Sequence, residues 1–186
     1  MEFQHLIVKI PVEGRLGIDP AAVVDVFHKW VAAQSVPGVL LVDVAELLHV
    51  PKGPGVIAVG HEADYALDHS DGVWGLLYRR KTTLPGTNAE RLAGAFEAAL
   101  QAAVWLENAF PGALRFSRTE FELIINDRGI APNIPATYAA AVPGMELFIR
   151  KLFGNSSFQF VRHDGDPRGR FGITAKGEKP FIPFAA

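Results

Sequence analysis

The feature that most constrains this chain is that it repeats itself. Pro51-Lys52-Gly53 is followed by Gly55-Val56-Ile57-Ala58-Val59-Gly60, and Pro167-Arg168-Gly169 by Gly172-Ile173-Thr174-Ala175-Lys176-Gly177, with one more residue in the second loop. The shared pattern is proline, base, glycine, a short spacer, then Gly-aliphatic-x-Ala-x-Gly. Upstream matches keep the same order. Glu2-Phe3 with Leu6-Ile7-Val8 parallels Glu120-Phe121 with Leu123-Ile124-Ile125, Pro20 parallels Pro135, and Asp25-Val26-Phe27-His28-Lys29 parallels Glu146-Leu147-Phe148-Ile149-Arg150. Self-similarity on this scale signals copies of one supersecondary unit packed together.

Local patterns give that unit its elements. Leu6 to Ile10 is apolar and β-branched up to Pro11, as a strand requires. Asp19-Pro20 opens a helix, since aspartate caps exposed amides and proline at the first position gives up a donor that is unpaired anyway. Val23, Val24, Phe27, Trp30 and Val31 then recur at helical spacing. Val39–Val44 and Gly55–Gly60 read as strands, and Val73–Tyr78 as a hairpin strand after the turn His69-Ser70-Asp71-Gly72. Thr87-Asn88-Ala89-Glu90 fits a capping box ahead of a long helix. Leu114–Phe116 and Phe121–Ile125 are strand-like, a helix from Ile134-Pro135 is expected to bend at Pro143-Gly144, and Phe171–Ala175 closes the series.

The expected fold is therefore α+β, in one domain over residues 1–186. Two diverged strand-helix-strand-strand units, 3–67 and 121–184, are expected to be related by pseudo-two-fold symmetry and joined by a hairpin strand and central helix over 68–120. The sheet should be mixed or mostly antiparallel and covered by helices.

Composition narrows function by exclusion. With 18 basic and 20 acidic residues the net charge is −2, so no positive field would gather nucleic acid. The absence of cysteine removes disulfides, thiolate metal sites and cysteine nucleophiles. Glu2, His5 and Lys9 interrupt any leader-like apolar run, and nothing approaches the roughly 20 apolar residues of a membrane span, so a cytoplasmic protein is expected. No nucleotide-binding glycine fingerprint and no Gly-x-Ser-x-Gly elbow is present, and no cofactor is expected.

Three segments carry candidate chemistry. Gly60-His61-Glu62-Ala63-Asp64-Tyr65 groups an imidazole with two carboxylates, and Asp68, His69 and Asp71 follow. Tyr65 occupies the position where a zinc helix needs its second histidine, so His61, Glu62 and Asp64 form only a weak metal candidate. A solvated strand end is the competing reading. Arg79-Arg80-Lys81, with Lys52, Gly53 and Gly55 of one glycine loop and Arg168 and Arg170 of the other, would bind an anion if the fold brought them together. His163-Asp164-Gly165-Asp166 reads as turn chemistry. Phe181, Ile182 and Phe184 lie among prolines that cannot join a central sheet, which makes them a candidate homo-oligomer contact. The leading expectation is a non-catalytic protein that binds a small ligand or anion and self-associates. The alternative is a metal-assisted or acid/base enzyme using His61, Glu62, Asp64 and His69.

Overall fold

A computed structural model describes residues 1–182. Leu6–Pro11 (β1) leads through a 3₁₀ turn to Val23–Ala33 (α1). Leu41–Leu47 (β2), Gly55–Gly60 (β3), Ala63–Asp68 (β4) and Gly75–Arg80 (β5) follow. Asn88–Ala109 (α2) then precedes Glu120–Ile125 (β6), Pro135–Phe153 (α3), Phe158–Arg162 (β7) and Phe171–Gly177 (β8). The eight strands form one open sheet in the order β2-β3-β4-β5-β1-β6-β8-β7, and every neighbouring pair is antiparallel. This is an α+β architecture with three α-helices. No helix among the described residues is long and apolar enough to cross a membrane.

The helices occupy one face of the sheet: α1 lies on β2 and β3, α2 on β1 and β5, and α3 on β8 and β7. Period-two alternation sends Leu6, Val8 and Ile10 into that core, where Phe27, Phe96, Phe121 and Phe153 also lie. Each fully buried phenylalanine there contributes about 2–3 kcal/mol. Helix α2 begins with the expected capping box: the Glu90 amide donates to Thr87 Oγ1 at 3.2 Å and the Thr87 amide to Glu90 Oε2 at 2.7 Å. Its buried stripe mixes Leu92, Phe96 and Leu106 with Ala95, Ala99, Ala102 and Ala103, small residues that let the helix lie close to the central strands.

Two sequence readings change. Ala63–Asp68, weighed as a solvated strand end, is strand β4 with every residue buried. It pairs with β5 as a hairpin that lies between β3 and β1, whereas β8 pairs directly with β6. Leu114–Phe116 forms only the isolated bridge from Phe116 to Val12. Pro143 sits inside helix α3, with Ala141, Met145, Phe148 and Ile149 buried on either side of it.

Candidate functional site

Residues that alternate away from the helices lie on the other face of the sheet. One cross-strand row there runs Ala66, Leu77, Lys9, Glu122, Thr174 over β4, β5, β1, β6 and β8. Ser70 and Asp71 from the β4–β5 turn and His163, Asp164 and Arg170 from the β7–β8 loop stand around it, enclosing a cleft of about 410 Å³. That volume suits a small molecule.

Lys9 anchors the site. Its Nζ donates to Asp68 Oδ2 at 2.8 Å, and both side chains are only 3% exposed. Nζ also donates to Asp71 Oδ1. Asp68 lies two strands away, so the lysine stem must cross β5, and it does so over Gly75. A Cβ at that position would fall 2.9 Å from Lys9 Cε and 3.1 Å from Lys9 Cγ. Ser70 completes the shell, its hydroxyl donating to Asp68 Oδ2 at 3.1 Å. For Asp71, burial pushes the carboxyl up, but the bonds from Lys9 and the Val73 amide outweigh it and hold the group low.

Glu122 is the group set apart. Among the described residues nothing donates a hydrogen bond to its carboxylate, and the basic group within 4 Å of it is His163, whose Nε2 lies at 3.8 Å. Burial, reinforced by the negative charges of Asp71, Asp68 and Glu120 and only partly offset by Lys9, pushes its pKa up to about 7. His163 moves the other way. Burial disfavours its cation, Arg170 adds repulsion, and Asp71 opposes them incompletely, so the imidazole is held neutral. Its Nε2 lies 2.9 Å from Thr174 Oγ1. The ring rests over Gly172, where a Cβ would meet Nδ1 at 2.7 Å. Asn133 steadies the loop, donating through Nδ2 to the His163 carbonyl at 2.9 Å, while its own Oδ1 is buried without a partner among the described residues.

The residues singled out from sequence are dispersed by the fold. Antiparallel pairing places the Lys52-Gly53-Gly55 loop at the end of the sheet where β3 begins and β8 finishes, so it lies opposite the Arg168–Arg170 loop. The glycine loops do not share a pocket. Asp64 is buried and ion-paired to both Arg79 and Lys81, with the Gly60 amide donating to it at 3.1 Å. Burial pushes this carboxyl up, but Lys81 and Arg79 outweigh it and hold it low. Arg79 and Lys81 thus neutralise an internal charge. Arg80 donates through Nε to the Thr82 carbonyl at 3.3 Å.

His61 and Glu62 lie in the bend between β3 and β4, where Glu62 Oε2 accepts the Leu40 amide at 2.8 Å. His69 stacks on Trp74, ring centres 4.4 Å apart. Among the described residues no group of three or more histidines and carboxylates is arranged to hold a metal, His61, Glu62 and Asp64 included. Phe181 packs into the chain's own core against Phe96, 5.0 Å between centres. Ile182 is 60% exposed, and Phe184 falls outside the described residues.

Of the candidate anion-binding residues Arg170 lines the cleft, as do Asp68 and Asp71, which follow the His61 segment. Lys9, Glu122 and Thr174 were passed over as strand residues and His163 as a turn. Their signal was present: Lys9 is the lone charge of β1, and Glu122 interrupts the apolar run from Phe121 to Ile125. Comparison with protein-family models, curated proteins and solved structures finds no match for the chain.

Proposed function

We propose that the cleft on the open face is a proton-transfer site, with Glu122 as the acid–base group and His163 as its neutral hydrogen-bonding partner. The observation that carries this reading is the Glu122 carboxyl, pushed up to about 7 in a cleft of molecular size, 3.8 Å from an imidazole whose own proton affinity is lowered. A carboxyl near neutrality holds useful amounts of both acid and base forms, the condition under which proton transfer is fastest. Two titratable groups pushed in opposite directions within one pocket mark such sites. Glu122 as carboxylate removes a proton from the substrate and as acid returns it, and His163 stabilises the charge that develops between those events. Lys9 is not placed for imine chemistry, because an ammonium held by two carboxylates offers no lone pair.

Acid–base chemistry thereby passes from His61, Glu62 and Asp64 to the opposite side of β5. The small-ligand reading moves with it, from the glycine loops to this cleft. Cytoplasmic location and self-association rest on composition and are tested by cell fractionation and light scattering.

We also read the fold as a doubled unit. Both β1-α1-β2-β3 and β6-α3-β7-β8 run strand-helix-strand-strand. Ile7 and Ile124, equivalent in the repeat, face each other across the β1–β6 pair, as residues on a dyad must. Without β4 and β5 the order becomes β2-β3-β1-β6-β8-β7, which reads the same from both edges. On this reading the hairpin is an addition, and it delivers Asp68, Ser70 and Asp71 to the site.

The test of activity is deuterium incorporation from D₂O into a panel of small compounds with a C–H next to a carbonyl, followed by proton NMR. Exchange should rise through pH 7 and fall at least about a hundredfold in Glu122→Gln that keeps the wild-type fold. Exchange that is indifferent to this substitution would refute the assignment.

A further inference from the structure

Resting on that reading, the charges around the cleft define what it accepts. Four carboxylates line it, those of Asp68, Asp71, Glu122 and Asp164, against two cationic side chains, Lys9 and Arg170. Both cations are engaged: Lys9 with Asp68 and Asp71, and Arg170 with Asn126 Oδ1 at 3.3 Å. The imidazole of His163 is neutral and adds no positive charge. Glu122 is left with no hydrogen-bond donor among the described residues, and its carboxylate lines the same cavity. What is missing is a donor bearing positive charge for the Glu122 carboxylate.

We propose that the ligand of this cleft carries a primary ammonium group, which seats against one oxygen of the Glu122 carboxylate and leaves the other to exchange the proton. A divalent metal is a poorer fit, because Asp68 and Asp71 are turned onto Lys9 and leave no convergent set of three ligands. An ammonium needs fewer, looser acceptors, and Thr174, the cross-strand partner of Glu122, carries a hydroxyl that retains acceptor capacity beside His163 Nε2. Anions meet the surplus negative charge and are disfavoured.

The proposal couples binding to proton release. Only ionised Glu122 attracts the ammonium, so apparent affinity is reduced by the fraction of protein in which the carboxyl is ionised. With the midpoint at about 7, that fraction rises about tenfold between pH 6 and pH 8, and so should the affinity.

Butylammonium serves as the cationic probe, with butyrate and Mg²⁺ as controls at matched ionic strength, followed by NMR of ¹³C-glutamate-labelled full-length protein. The expected result is saturable movement of the Glu122 resonance by butylammonium, a dissociation constant about tenfold lower at pH 8 than at pH 6, and a lowered Glu122 midpoint in the complex. In Glu122→Gln, followed through the Glu120 resonance of the same strand, the pH dependence should be abolished. Movement by butyrate or Mg²⁺ without butylammonium, or no movement by butylammonium at any concentration tested, overturns the ligand class. The ligand-free titration separates the two failures. A midpoint near 7 with no ammonium binding rejects the ligand alone, whereas a midpoint near 4.5 rejects the proton-transfer reading itself.

Discussion

Replacing Lys9 with methionine removes the one charge that holds the site together while keeping the length of the side chain. Asp68, 3% exposed, then lies buried beside Asp71 with no counter-ion, its remaining partners being the Ser70 hydroxyl and amide. Breaking a buried pair from one side typically costs about 3–5 kcal/mol, because the abandoned charge keeps its desolvation penalty. For a chain of 186 residues that is a fall in Tm of roughly 6–20 °C. Adding Asp68→Asn removes the stranded charge, and the double variant should recover at least about 1 kcal/mol relative to the sum of the single changes. Urea unfolding of the wild type, both single variants and the double variant at pH 7.5 completes the cycle. Lys9→Met within about 1 kcal/mol of wild type at pH 7.5, or strictly additive losses, would show that the triad does not organise the cleft.

Other substitutions probe the neighbouring parts. Glu122 binds its proton more tightly folded than unfolded, so between pH 4.5 and about 7 stability falls as pH rises. The 21% exposed side chain sets this at about 3 kcal/mol as an upper figure. Glu122→Gln should flatten that component, gaining on wild type from pH 4.5 to pH 8 in chemical denaturation, and a constant offset would contradict it. Gly172→Ala puts a methyl 2.7 Å from His163 Nδ1 and should displace the ring from Thr174, raising the His163 midpoint in proton NMR as the ring becomes hydrated. Phe181→Ala should cost about 3 kcal/mol through cavity formation, lowering Tm without changing solution mass, because Phe181 contacts Phe96, Phe121 and Phe153 of its own chain.

The regular elements were legible because their signals are local. Thr87 and Glu90 announce α2, the Val23, Phe27, Trp30 spacing announces α1, and apolar runs mark β1, β3, β6 and β8. Strand β4 was not legible. Ala63-Asp64-Tyr65-Ala66-Leu67-Asp68 has weak strand propensity and two acids that look solvated. The acids are buried because Arg79 of β5, Lys81 just after it and Lys9 of β1 meet them. Lys9 and Asp68 stand 59 residues apart, and no sequence period links them. Likewise Lys9 and Glu122 each appear as an oddity in an apolar strand, but that they face one another follows from the β1–β6 register. The glycine pattern was read as the mark of a repeat with candidate anion loops. Gly172 instead clears space for an imidazole, and Gly75, outside the pattern, clears it for a lysine stem. Where Phe181 goes was not legible either: a gap beside Phe96 and Phe153, residues far from it in the chain, accepts its ring.

Everything functional here rests on one carboxyl group holding its proton to neutrality. A carbon-detected titration of the Glu122 side chain in the ligand-free protein, between pH 3 and pH 9, reads that property at the atom concerned. Inflection at about 7, moving higher still when Lys9 is replaced by methionine, is the expected behaviour, since Lys9 is the charge that opposes the shift. Inflection close to 4.5, unmoved by that replacement, would mean that Glu122 is an ordinary surface acid and the cleft has no proton to trade.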